Sequence, residues 1–133
     1  MPERKSILII DDEMQLRRSL SLILSHSDYQ VACAATAREG LQLLQAGSYD
    51  LLFLDVKLPD GNGINLLPSI LQIAPSMPVL ILTAHADPTT ATDVARLGAW
   101  AYLLKPIDPE DILARVADAL STGKDKHPTP LTP

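Results

Sequence analysis

The sequence contains few aromatic residues, one cysteine and no excess of basic residues, and each shortage excludes a class of protein. Aromatics make up 4% of the chain, so the hydrophobic core has to be built from aliphatic side chains. The single cysteine, Cys33, excludes an internal disulfide and is typical of a reducing compartment. The formal net charge is −5, and no basic surface is visible, so we expect no direct binding to nucleic acid.

Long apolar runs are also missing. Near the N-terminus only four apolar residues, Ile7–Ile10, stand between MPERKS and two aspartates, which is too short for a signal peptide or a membrane span. We therefore expect a cytoplasmic protein without membrane contact. The length of 133 residues suits one domain with a hydrophobic core, and 47% hydrophobic with 20% charged residues is typical of a folded globular protein.

Five short apolar runs alternate with segments of helical periodicity. The runs are Ile7–Ile10, Val31–Ala35, Leu51–Leu54, Val79–Leu82 and Ala101–Leu104. Between them, apolar residues recur three and four positions apart, as on one face of a helix. Strands that are apolar on both faces and alternate with helices predict an α/β fold with a parallel sheet covered on both sides.

Several helix boundaries can be predicted from capping residues. Thr36 and Glu39 have the spacing of a capping box, and Asp87 and Asp108, each followed by proline, are typical of N-cap positions. Pro68 within the third helical pattern predicts a late start or a kink. The final residues, 123–133, contain three prolines and no periodicity, so we predict a flexible tail or linker.

Polar residues stand where four of the five predicted strands end: Asp11, Asp12, Asp55, Thr83 and Lys105. In an open parallel sheet, ligands bind outside the carboxyl ends of the strands. Neighbouring carboxylates repel, and a hard divalent cation with oxygen ligands compensates their charge. Alone, each residue could equally be a cap, a turn residue or an ordinary strand end. Together they favour phosphoryl chemistry on an aspartate, with a lysine and a hydroxyl to contact the phosphoryl group.

The segments ILIIDDE, LLFLDVKLPDG, LILTAH and GAWAYLLKP, in that order, resemble the receiver domain of two-component response regulators over roughly residues 5–122. The resemblance implies a (βα)5 doubly wound sheet of flavodoxin-like topology with strand order 2-1-3-4-5. The receiver domain would then occupy residues 1–122, followed by the tail at 123–133.

The resemblance also implies a role for the acidic residues. Asp55 would accept a phosphoryl group from a sensor histidine kinase or a phosphotransfer protein. Mg²⁺ or Mn²⁺ would be bound directly by Asp12 and Asp55, mainly through water by Asp11, and by the backbone carbonyl of Lys57.

Further residues match positions at which the family contacts the phosphoryl group or changes conformation in response to it. Its oxygens would be bound by Thr83, Lys105 and the backbone N–H of Ala84. Tyr102 matches the aromatic residue that turns inward when the Thr83 hydroxyl moves towards the phosphate. The peptide bond between Lys105 and Pro106 would be cis.

The resemblance implies a signalling module and not a metabolic enzyme, one that catalyses only its own phosphorylation and slow dephosphorylation. Phosphorylation would shift an existing equilibrium of the surface formed by the fourth helix, the fifth strand and the fifth helix. That surface would control an output such as transcription, through an effector outside this chain, and would be the interface of a homodimer. Trp100 is either packing or a partner anchor on this surface.

Three alternative functions remain to be weighed. A phosphatase with an aspartyl-phosphate intermediate would need a second aspartate two positions after the nucleophile, where this chain has Lys57. A nucleotide- or flavin-binding module would need a glycine-rich loop after the first strand, but DDEMQLRR contains no glycine. A degenerate receiver that acts only through protein contacts is disfavoured by the intact set of aspartates, threonine and lysine.

Lys57 leads to a first testable prediction. Its side chain could overhang the phosphoryl group on Asp55 and shield the acyl phosphate from water. Lys57→Asn is therefore expected to lose the phosphoryl group faster than wild type, measured as the rate of dephosphorylation after removal of the phosphodonor. An unchanged or slower rate in the variant would contradict this role.

Overall fold

A computed structural model of the chain describes residues 4–84, 92 and 94–122. Its strands are β1 (Ser6–Ile10), β2 (Gln30–Ala34), β3 (Leu51–Asp55), β4 (Lys57–Leu58), β5 (Gly61–Asn62), β6 (Val79–Thr83) and β7 (Ala101–Leu104). Its helices are α1 (Met14–His26), α2 (Ala37–Ala46), α3 (Leu67–Ile73), α4, described at residues 92 and 94–96, and α5 (Pro109–Thr122). None of the helices within these residues combines the length and the hydrophobicity needed to cross a membrane.

The main sheet has five parallel strands in the order β2-β1-β3-β6-β7. Counted within this sheet alone, that is the predicted order 2-1-3-4-5, so both the α/β class and the doubly wound topology are confirmed. The two-residue strands β4 and β5 form a separate antiparallel hairpin after β3. This hairpin could not be predicted from the sequence, because strands of two residues are too short to show a periodicity.

Alternate residues of the central strands point into two different core layers, which is why their apolar runs are uninterrupted. Leu52 and Leu54 of β3 pack in the layer formed with α2 and α3. Leu51 and Phe53 pack in the layer formed with α1 and α5. Every residue of β3 and β6 is buried, as expected for strands in the middle of a sheet covered on both faces.

The predicted capping box at α2 is present but displaced by one residue on one side. The Thr36 hydroxyl accepts a hydrogen bond from the Glu39 N–H at 3.1 Å. The Glu39 carboxylate accepts from the N–H of Ala35, at 2.7 Å, where the capping box predicts the N–H of Thr36.

The other predicted helix starts can be compared in part. Pro68 lies in the first turn of α3, after a 3₁₀ turn over Gly63–Leu66. Of the two predicted effects of Pro68, a late helix start and a kink, the late start is therefore correct. Asp108 accepts a hydrogen bond from the Asp111 N–H at 3.0 Å and caps α5 as predicted. The predicted cap at Asp87 and the tail at 123–133 lie outside the described residues.

A second cap of α2 comes from the turn between β4 and β5. The two carboxylate oxygens of Asp60 accept hydrogen bonds from the N–H groups of Ala37, at 2.8 Å, and Arg38, at 3.0 Å. These two donors at the positive end of the helix lower the pKa of Asp60. The segment that follows the strand end at Asp55 is thereby tied to α2.

The cap leads to a prediction about stability. Asp60→Asn is expected to lower the melting temperature at neutral pH, because asparagine offers one acceptor oxygen and no charge to the helix terminus. A pKa lowered by folding means that the stabilisation is present above the ordinary aspartate value of 3.8 and is lost as the pH falls through the folded-state value. The difference in melting temperature should therefore shrink in acid.

Asp28→Asn is the matched control for this measurement. Within the part of the chain that the structure describes, the Asp28 carboxylate pairs with Arg4 alone, at 3.3 Å, and their side chains are 82% and 59% exposed, so the melting temperature should change little. Equal melting temperatures for Asp60→Asn and wild type at neutral pH would contradict the capping role.

Candidate functional site

The polar residues at the strand ends meet at one edge of the main sheet. Asp11 and Asp12 follow β1, Asp55 is the last residue of β3, Thr83 ends β6, and Lys105 follows β7. One carboxylate oxygen from each of the three aspartates can be chosen so that all three oxygens lie within 4.8 Å of one another. Parallel strands force this arrangement, because their carboxyl ends all reach the same edge.

Lys105 is the cation at the centre of the site. Its Nζ lies 3.1 Å from Asp11 Oδ2 and 3.3 Å from Asp55 Oδ1. A third carboxylate, that of the exposed Glu13, lies 3.5 Å away and was not recognised in the sequence. The Lys105 N–H donates to the Thr83 carbonyl at 2.8 Å, which fixes the start of the lysine against the end of β6.

Burial is the main influence on the pKa values of these groups, and the single ammonium group of Lys105 offsets it only in part for the two buried carboxyls. Burial raises the pKa of Asp11 in spite of the Glu13 N–H and the nearby ammonium. Burial, followed by the negative charge of Asp11, raises the pKa of Asp55. Burial alone would lower the pKa of Lys105, but the contact with Asp11 and the charges of both aspartates outweigh it, and the pKa rises.

The site fits a divalent cation. Asp11 is fully buried, and its Oδ2 makes no hydrogen bond within the described residues, although the Lys105 ammonium lies beside it as an ion pair. Lys105 supplies a single positive charge to Asp11 and Asp55, with Asp12 close by, so the cluster keeps a net negative charge that a divalent cation would balance. The all-oxygen donor set is the kind that Mg²⁺ or Mn²⁺ prefers.

The loop between β1 and α1 holds two of the three carboxylates. Asp11 Oδ1 accepts a hydrogen bond from the Glu13 N–H at 2.9 Å. The Asp11 carbonyl oxygen accepts one from Arg17 Nη1 at 2.7 Å. Glu13 is the N-cap residue of α1, but its side chain makes no capping hydrogen bond, and Asp12 is exposed.

Gly63 is required where the chain turns back after the phosphoacceptor candidate. The Gly63 N–H donates to the Val56 carbonyl at 2.6 Å, and a Cβ at Gly63 would overlap the Asp55 carbonyl oxygen. Only glycine allows so close a backbone approach. The sequence signal for this was the last glycine of LLFLDVKLPDGNG, which had no assigned role.

The predicted switch and ligand residues are placed by the structure, but their roles stay predictions. Thr83 is buried, and Tyr102, opposite Ile81 in the register of β6 and β7, is half-buried against the layer of α2 and α3. Ala84 is exposed beside Thr83. Lys57 is exposed, and its backbone N–H donates a hydrogen bond to the Asp55 carboxylate. This bond lowers the pKa of Asp55, but burial raises that pKa by more.

Two further predictions concern the segment around β7. The peptide bond between Lys105 and Pro106 is cis, as the family resemblance implied. Trp100 is only 5% exposed and packs in the layer of α1 and α5, so its role as a surface anchor for a partner is wrong for this structure. The residue lies just before β7, where α5 covers the sheet, and packing is the correct one of the two interpretations.

Comparisons with known proteins agree with this geometry. The family model described as response regulator receiver domain matches residues 7–117. The chain is 39% identical over 114 residues to the alginate biosynthesis transcriptional regulatory protein AlgB of Pseudomonas aeruginosa, covering 86% of this chain and 25% of that protein. The chain spans about a quarter of the length of the curated relatives it matches.

Solved structures show the same fold. A CheY-like receiver domain protein from Methanospirillum hungatei superposes with a TM-score of 0.87 at 33% identity, covering 92% of this chain and 98% of that one. A response regulator from Burkholderia pseudomallei, solved with a phosphorylated aspartic acid, a calcium ion and citrate, gives a TM-score of 0.79 at 29% identity. That match covers 88% of this chain and 74% of that one.

The charge imbalance predicts that Asp55→Asn stabilises the fold in the absence of divalent cations. A pKa raised by folding means that the stabilisation exists below 3.8 and is lost as the pH rises through the folded-state value. At neutral pH the ionised Asp55 therefore costs stability, while Lys105 keeps Asp11 as a partner in the variant. We expect a rise in melting temperature on the order of a few degrees at neutral pH, which disappears in acid.

Mg²⁺ provides the control for this measurement. Added Mg²⁺ should raise the melting temperature of wild type more than that of Asp55→Asn, because the variant lacks one carboxylate of the cluster. A lower melting temperature of Asp55→Asn at neutral pH without metal would contradict the interpretation of the site as short of positive charge.

Proposed function

The chain belongs to the response regulator receiver domain family, and on this premise we propose that Asp55 is its phosphoacceptor, with a sensor histidine kinase or a phosphotransfer protein as donor. The chain is a receiver domain of the kind found in two-component response regulators. The observation that carries the proposal is the Asp55 carboxylate, buried at the end of β3 with Lys105 Nζ at 3.3 Å and two more aspartates beside it.

The proposed reaction makes Asp55 the nucleophile. One carboxylate oxygen forms a bond to the phosphorus of a phosphohistidine as the P–N bond breaks. The electron pair of that bond goes to the imidazole nitrogen, which takes up a proton from solvent. The Lys105 ammonium would contact the phosphoryl oxygens from its place beside Asp55. Thr83 and the Ala84 N–H would contact these oxygens from the end of β6.

Asp11, Asp12, Asp55 and the carbonyl of Lys57 would hold Mg²⁺ or Mn²⁺. When bound, the ion neutralises charge on the aspartates and on the transferring phosphoryl group. The carboxylates must be ionised to bind metal and, for Asp55, to react. Because the pKa values of Asp11 and Asp55 are raised, metal binding and phosphorylation should both weaken as the solution becomes acidic.

The similar proteins support this proposal by what they contain. The Burkholderia response regulator, 29% identical, carries a phosphorylated aspartate and a divalent cation in one structure. Several relatives are described as transcriptional regulators, which supports transcription as the output. Because this chain spans about a quarter of such proteins, that output would belong to a segment outside it.

The proposed switch runs from the phosphoryl group to the surface formed by α4, β7 and α5. Movement of the Thr83 hydroxyl towards the phosphoryl group would free space for Tyr102 to turn inward. Leu104, the last residue of β7, is 48% exposed and offers an apolar contact on that surface. A homodimer through this surface is the form of regulation that we propose, and a cytoplasmic location stays a prediction.

The proposal can be tested with a phosphoryl mimic. Wild type is mixed with Mg²⁺ and beryllofluoride, while the fluorescence of Trp100 and the elution volume in gel filtration are recorded. Trp100 is the single tryptophan and is buried near β7, so its signal should change when this region rearranges. We expect a change in wild type and in Asp28→Asn, and none in Asp55→Asn.

A response of equal size in Asp55→Asn, or no response in wild type, would overturn the proposal. A shift to an earlier elution volume in wild type alone would support regulation through dimerisation. Unchanged elution with an Asp55-dependent fluorescence change would retain the phosphoacceptor and contradict the dimer.

A further inference from the structure

We propose that Arg17 of α1 is a positioning residue for the divalent cation: it fixes the loop between β1 and α1 so that Asp11 and Asp12 face the ion. The inference rests on the proposed function in one respect, since it requires that the three aspartates bind Mg²⁺. It goes further in assigning a role to a cationic residue that touches neither the ion nor the phosphoryl group.

The contact itself is short and charge-assisted. Arg17 Nη1 donates to the carbonyl oxygen of Asp11 at 2.7 Å, across the first turn of α1. The Arg17 backbone N–H donates to the Glu13 carbonyl at 3.0 Å, so both ends of Arg17 are held. Arg17 is half-buried, which limits competition from water for the Asp11 carbonyl.

Lys105 also holds this loop through its ion pairs with Asp11 and Glu13, and two hydrogen bonds contribute further. The Asp11 carboxylate accepts the Glu13 N–H, and the Asp11 N–H donates to the Ala34 carbonyl of β2 at 3.0 Å. Asp12, between Asp11 and Glu13, is exposed, and its carboxylate has no hydrogen bond or ion pair within the described part of the chain. Because no contact of its own fixes the Asp12 carboxylate, the position from which this side chain starts depends on the backbone that Arg17 holds.

A positioning role and a purely electrostatic role of Arg17 predict opposite changes in Mg²⁺ affinity when Arg17 is neutralised. A positive charge near the aspartates repels a divalent cation, so if charge alone mattered, neutralising Arg17 would strengthen Mg²⁺ binding. If Arg17 acts by holding the loop, neutralising it should weaken Mg²⁺ binding despite the loss of repulsion. Residues that orient metal ligands typically change affinity tenfold or more when they are removed.

Arg18 is the matched control. It is the next residue, it carries the same charge, it is exposed, and it makes no hydrogen bond or ion pair within the described residues. Arg18→Gln therefore reports the effect of removing one positive charge from α1 without disturbing the loop.

The experiment is a Mg²⁺ titration of the full chain without any phosphodonor, followed by calorimetry and by Trp100 fluorescence. Four proteins are compared: wild type, Arg17→Gln, Arg17→Lys and Arg18→Gln. We expect about tenfold weaker Mg²⁺ binding for Arg17→Gln, a smaller loss for Arg17→Lys, which retains a charged donor, and no weakening for Arg18→Gln. Melting temperatures without Mg²⁺ show which variants are folded.

Unchanged or tighter Mg²⁺ binding by Arg17→Gln, or equal weakening in Arg18→Gln, would overturn the positioning role and leave the proposed function intact. If Arg17→Gln does not fold, Arg17→Lys decides, and wild-type affinity in that variant would overturn the role. Absence of Mg²⁺ binding by wild type would instead overturn the proposed function, and this inference with it.

Discussion

The carboxyl group of Asp55 is buried beside two further aspartates, with the ammonium group of Lys105 in contact with it, and the rest of the site depends on this excess of acidic groups. Burial in a medium of low dielectric makes each unbalanced charge expensive. Lys105 contacts both Asp11 and Asp55, yet the pKa values of both carboxyls remain raised. A divalent cation and, later, contacts to a phosphoryl group are the physical means of restoring balance. A protein that only needed stability would place an apolar residue at the end of β3.

The scaffold holds this costly arrangement by tying each acidic loop to a helix. Arg17 ties the loop after β1 to α1, and Asp60 ties the segment after β3 to α2. Gly63 allows that segment to pass directly against Asp55. On the other side of the site, Thr83 and Tyr102 stand on β6 and β7, at the side of the sheet where we propose that the signal leaves. The acidic loops thus form a fixed part of the site that would bind the cation. Thr83 and Tyr102 form the part that we propose to move when Asp55 is phosphorylated.

Much of the fold follows from local patterns. The apolar runs at Leu51–Leu54 and Val79–Leu82 are uninterrupted because both faces of a central strand are covered, and this alone predicts the class of the sheet. The order of the strands and the individual roles of the site residues came from the family resemblance, and the topology is confirmed. The polar residues that end the strands could be predicted to meet because parallel strands share one edge.

What the sequence did not reveal are contacts between residues far apart or set by exact backbone paths. Asp60 caps a helix that begins 23 residues earlier in the chain, and Glu13 reaches Lys105 across 92 residues. No local pattern contains such pairs. Trp100 was open to two interpretations because its burial depends on how α5 covers the start of β7.

The most direct test of Asp55 as phosphoacceptor is the intact mass of the chain after incubation with acetyl phosphate and Mg²⁺, followed by peptide mapping. We expect wild type to gain the mass of one phosphoryl group, mapped to Asp55, and Asp55→Asn to gain none; an unmodified wild type, or a phosphoryl group on another residue, would contradict the proposed function.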